Sequence, residues 1–142
     1  MRNAKIKASE RQFFYYWVML TDPLKKIPHM QRNMIAELLY YRYELLAQVN
    51  NPLLVDQLLF EYETKGEICK ALSITRGRFA IELTKLRKRN VIVGKQFNPV
   101  YVPNFKKGED KFVISYTIEI HNDKEESKGP DSNSDAKNSA GE

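Results

Sequence analysis

Apolar positions recur at helical spacing as far as Leu86 and begin to alternate after Val91. The spacing predicts a helix over Glu10–Leu20, almost wholly apolar after Gln12. The prolines at 23 and 28 break the connector 21–28, and Pro28 can sit at the first turn of the next helix. That helix, "HMQRNMIAELLYYRYELLAQV", carries Met30, Met34, Leu38, Tyr41 and Leu45 along one stripe. Ile35, Leu39, Leu46 and Val49 widen it, which predicts burial on more than one side or a partner surface. Asn50-Asn51-Pro52 ends the helix. Asn51 is an N-cap with Pro52 at the first helical position, so "PLLVDQLLFEY" reads as a further helix.

The stretch "TKGEICKALSITRGRFAIELTKLRKRNVIVG" then reads as two short helices around a tight turn. Thr64 and Glu67 match a capping box and mark the expected start. Ile68 and Leu72 point inward with Cys69 beside them, and Ser73-Ile74-Thr75 forms the turn. Thr75 is a second N-cap candidate, and Asn90 can take the left-handed conformation that ends the second helix near Arg89. At about 100° per residue, Phe79, Leu83 and Leu86 share a narrow core sector. The opposite sector holds Gly77, Arg78, Ile81, Thr84, Lys85 and Lys88.

After Asn90 the pattern predicts strands at 91–93, 100–102 and 112–120. "FVISYTIEI" (112–120) places Phe112, Ile114, Tyr116, Ile118 and Ile120 on one face, and Val113, Ser115, Thr117 and Glu119 on the other. The last two strands would form a hairpin, with Lys106, Lys107 and Lys111 near its tip. Beyond His121 the chain has no aromatic or branched aliphatic residue, so a disordered tail is expected. The expected organisation is a basic arm and aromatic helix (1–26), a central domain (27–121) and the tail (122–142).

Charge sharpens this picture. Residues 64–111 hold twelve Lys/Arg against four acids, whereas the chain as a whole nets only +5. Clustered cations reward binding to phosphate through counterion release, although a solvated basic face is the plainer reading. On the second helix, Arg78 and Lys85 can reach guanine acceptors or phosphates, Thr84 can hydrogen-bond, and Ile81 can touch a thymine methyl. Ile81 suits a protein contact equally well.

Other chemistry finds little footing. His29 and His121 are far apart, and Cys69 is alone, which rules out an internal disulfide and gives no metal-ligand spacing. No phosphate loop, nucleophile elbow or paired-carboxylate motif is visible. Neither enzymatic activity nor a cofactor is expected. The apolar run "FFYYWVML" is too short for a membrane span, and no secretory signal is evident, so a cytoplasmic protein is expected. The aromatic helices suggest a homodimer or larger assembly, with Phe13, Tyr16, Trp17, Tyr40 and Tyr43 as oligomer contacts, against an intramolecular core as the alternative.

"ICKALSITRGRFAIELTKLRKRNVIV" resembles winged helix-turn-helix domains, and "IPHMQRNMIAELLYYRYEL" is similar to the first helix of such domains in phage and plasmid replication initiators and replisome organisers. "FNPVYVPNFKKGE" is similar to their wing, and the resemblance covers roughly residues 27–120. It implies a mainly α fold with a small β-hairpin wing (α+β), extra N-terminal helices and the disordered tail. It also implies double-stranded DNA as partner. Arg76, Arg78, Ile81, Lys85 and Lys88 would be recognition-helix positions, and Lys106 and Lys107 would belong to the wing. Thr84, Arg89 and Lys111 complete the expected DNA-binding set. Two functions follow: a replication initiator or transcriptional regulator of phage or plasmid type, or a virion adaptor such as a head-tail connector that uses the fold to contact phage structural proteins.

Overall fold

The computed structural model describes residues 4–21 and 26–121. The expected tail lies wholly outside the described residues, as do the start of the basic arm and the middle of the connector. The chain divides into two units, Met1–Glu109 and Asp110–Glu142. The first holds α1 (Glu10–Leu20), α2 (His29–Val49), α3 (Pro52–Leu59), α4 (Tyr62–Leu72), α5 (Arg76–Lys88), β1 (Ile92–Val93), β2 (Gln96–Phe97) and a 3₁₀ turn (Pro99–Tyr101). The architecture is mostly helical with one small antiparallel hairpin, an α+β arrangement compatible with a winged-helix shape.

Local signals account for most helix ends. Ser9 caps α1 through a capping box with Gln12. Asn50 ends α2 in the left-handed conformation, and the Asn51 side chain accepts from Leu54 N to open α3 with Pro52 in its first turn. Two boundaries differ from the sequence pattern. The predicted helix 52–62 stops at Leu59, because Phe60 N and Glu61 N turn back onto Gln57 and Leu58 carbonyls. α4 then starts at Tyr62 rather than at the expected Thr64 cap. Lys65 N closes its first turn on the Glu61 carbonyl, which leaves Thr64 inside the helix.

α2 is the central helix. It buries Met34, Ile35, Ala36, Leu38, Leu39 and Tyr43 against the surrounding helices. α1 lies on it through Phe14 and Val18, so the boundary expected at residue 26 does not separate two cores. Burying an apolar side chain of this size contributes roughly 1.5–3 kcal/mol. The buried carboxylate of Asp56 is paired on both oxygens. Arg42 Nε donates to Asp56 Oδ1 at 2.7 Å, and Asp56 Oδ2 accepts from Phe97 N at 3.1 Å, which ties α2, α3 and β2 together.

The hairpin is shorter and earlier than expected. Ile92 pairs with Phe97 and Val93 with Gln96 across a two-residue turn of Gly94 and Lys95. Gly94 takes φ +64 at the first turn position, which fits the II′ turns that match strand twist. Ile92 and Phe97 are buried, so the hairpin is held from one side by the core. The predicted strand 100–102 is instead largely a 3₁₀ turn, because Asn98 caps Val100 N and Pro99 starts a helical turn. Residues 112–120, also predicted as a strand, have no regular secondary structure and no partner strand among the described residues. The Lys-rich hairpin tip therefore does not form there. Lys106 and Lys107 follow the 3₁₀ turn, Lys111 lies in the second unit, and the hairpin turn carries Lys95 instead.

Candidate nucleic-acid interface

α4 and α5 are the two short helices around a tight turn, at Ser73–Thr75, that the apolar pattern implied. Ser73 adopts φ 57, and its N–H together with that of Ile74 closes on the last carbonyls of α4. The Thr75 hydroxyl then accepts from Arg78 N to start α5. Phe79, Leu83 and Leu86 are buried, and Asn90 leaves the helix at φ 61. With that side fixed, Gly77, Ile81, Thr84 and Lys88 face outward, and Ile81 is 56% exposed. Thr84 is not idle: its hydroxyl donates to the Ala80 carbonyl at 3.0 Å.

One carboxylate organises the flank of this face. Glu82 is only 2% exposed. It accepts from Arg78 Nε at 2.7 Å, and Lys85 Nζ lies 3.6 Å from the same oxygen. Burial pushes the Glu82 carboxyl up, but the Arg78 hydrogen bond and the Lys85 and Arg78 charges outweigh it, so the group sits below the ordinary glutamate range. Gln31 on α2 also hydrogen-bonds Glu82 and accepts from Arg89 Nε at 2.9 Å. This network fixes the rotation of α5 against α2. Glu82 was legible in principle: at about 100° per residue it falls beside Leu86, on the inward side.

Arg76 is held differently. Its guanidinium lies 3.6 Å from the Tyr62 ring centroid, and Nη1 donates to the Tyr62 carbonyl at 2.9 Å. Gly66 makes the room, since a Cβ there would collide with an Arg76 nitrogen. Lys88, Arg87, Lys65 and Lys95 form no ion pair among the described residues, and the last three line one open cleft of about 600 Å³ with Leu54, Leu58 and Phe60.

Lys107, expected in the wing, is engaged with α1 and α2. Lys107 Nζ lies 2.7 Å from Glu44 and 3.0 Å from Glu10, and 4.7 Å from the Tyr43 ring centroid. Hydrogen bonds to Glu44 and Glu10 push its pKa above the ordinary lysine value. Tyr43 also hydrogen-bonds Glu10, and burial first, then that bond, pushes its phenol up to about 12. Lys106 and Lys111 are exposed.

Phe13, Trp17, Tyr40 and Tyr43, expected at an oligomer contact, have internal partners. Phe13 packs at 4.3 Å from Phe105, and Tyr43 stacks on Phe105 at 5.4 Å. Trp17 Nε1 donates to the Tyr101 carbonyl at 2.9 Å, and Tyr40 receives the Arg11 guanidinium at 4.6 Å. Tyr16 is half-buried. Among the described residues no group of His, Cys, Asp and Glu could hold a metal ion, and no helix is long and apolar enough to cross a membrane. No family model, curated protein or solved structure matches this chain.

Proposed function

We propose that the chain binds double-stranded DNA through α5, as a winged helix-turn-helix protein of phage or plasmid type that initiates replication or regulates transcription. The supporting observation is the outward face of α5. Gly77, Ile81, Thr84 and Lys88 stand opposite the buried Phe79, Leu83 and Leu86, with the cations of Arg78 and Lys85 along one edge. Gly77 permits close backbone approach, Lys88 meets phosphate, and Ile81 and Thr84 meet base edges in the major groove. Arg78 engages Glu82 through Nε, and its side chain remains half exposed, so it stays within reach of a duplex. Arg89 would steady α5 through Gln31, and Arg76 would steady it through Tyr62. The hairpin turn at Gly94-Lys95 takes the role of the wing, in place of Lys106, Lys107 and Lys111. Such a protein works in the host cytoplasm, as a homodimer on a two-fold site.

Fluorescence anisotropy with a labelled duplex tests this. Affinity should fall steeply with salt, and Arg78→Ala combined with Lys85→Ala should cost about 1–3 kcal/mol of binding. Absent or salt-insensitive binding contradicts the reading. A second reading, a virion adaptor that contacts phage structural proteins, draws on the exposed Ile81 and on Glu82 offsetting two of the cations. It predicts no duplex binding and loss of assembly on Ile81→Asp.

A further inference from the structure

We propose that the open cleft lined by α3, α4, the end of α5 and the hairpin turn binds an acidic amphipathic helix of a protein partner. The cleft measures about 600 Å³. Leu54, Leu58 and Phe60 supply its apolar lining, and its cations are Lys65 from α4, Arg87 from α5 and Lys95 from the hairpin turn. Val55 and Leu59 of α3 are fully buried, whereas Leu54 is 42% exposed. α3 thus keeps apolar surface outside the core. Leu54 and Leu58 stand one helical turn apart and share a face of that helix.

Charge says which partner fits. The cleft gathers three cations against one acid, Glu61, and none of the three forms an ion pair among the described residues. They come from three separate elements, so the fold brings them together rather than a basic run in the sequence. A helix with apolar side chains at i and i+4 can lay them against Leu54, Leu58 and Phe60 and set its carboxylates against the cations. A duplex would meet the cations with phosphate but leave the apolar lining uncovered. A wholly apolar partner would bury the cations without counter-charge, which is costly. The cleft does not rest on the duplex reading. At about 100° per residue, Arg87 falls on the edge of α5 opposite Arg78 and Lys85. Lys95 alone is shared between the cleft and the proposed wing.

Anisotropy with labelled helical peptides tests the cleft. The probe carries leucines at i and i+4 among glutamates. One control disperses the same leucines around the helix, and the other replaces them with glutamate. The unsubstituted chain should bind the probe about tenfold more tightly than either control. Lys65→Glu combined with Arg87→Glu should weaken probe binding about tenfold, and so should Leu54→Gln alone, with unchanged far-UV circular dichroism. Arg78→Ala combined with Lys85→Ala should leave probe binding as it is. Equal binding of all three peptides would mark a merely basic surface and overturn the proposal. Absent binding of the probe also overturns it. So does probe binding that survives both cleft variants, or a cleft whose charge reversal weakens duplex affinity alone.

Discussion

Lys88 and Lys107 look alike in the sequence, each following another basic residue on a segment expected to meet DNA. The folded chain treats them differently. Lys107 is spent on the chain itself, held by Glu10 and Glu44 beside the Tyr43 ring, where it fastens the segment after the 3₁₀ turn to α1 and α2. Lys88 stands on the outward face of α5 with no ion pair among the described residues. A count of cations measures supply. Only the placement of the acids separates those that hold the fold together from those left for a polyanion. Arg78 and Lys85 fall between the two cases, because Glu82 engages both while about half of each side chain stays exposed.

The largest expected effect lies on the Lys107 side. Phe14 is buried among Phe13, Tyr43 and Phe105, so Phe14→Ala should cost about 3–5 kcal/mol of stability in a denaturant titration. DNA affinity of the folded fraction should stay unchanged. If affinity falls in proportion, the two regions are not separable.

Glu82 gives a smaller effect and sharpens the intermediate case. Its folded pKa lies below the ordinary glutamate value. Its ionised form therefore adds stability above the ordinary value, and that stability is lost as pH falls through the lowered one. Glu82→Gln should cost about 1–3 kcal/mol near neutral pH and flatten the acid limb of the melting temperature against pH. An acid limb that keeps its steepness would show that the pairing with Arg78 and Lys85 does not carry it.

The elements legible in the sequence were those fixed by local chemistry. The span of α1, the end of α2 at Asn50, the caps at Asn51 and Thr75, the left-handed Asn90, and the inward Phe79, Leu83 and Leu86 all follow from near neighbours along the chain. What was not legible depends on distant partners. The alternation at 112–120 signals a strand, but a strand needs a neighbour, and the first unit builds its hairpin from 92–97 instead. The Asp56 carboxylate reaches Phe97 N from forty-one residues away, and Lys107 reaches Glu10 across ninety-seven. In the candidate site the outward face of α5 was readable from helical spacing. The capture of Arg78 by a buried Glu82 was not, because it depends on Gln31 of α2, fifty-one residues earlier, closing over that carboxylate.

The smallest expected change is also the most direct test of the central distinction. The slope of log Kobs against log salt for duplex binding should become shallower by about one on Lys88→Ala and stay as it is on Lys107→Ala. Equal changes in both variants, or a change only on Lys107→Ala, would contradict the account.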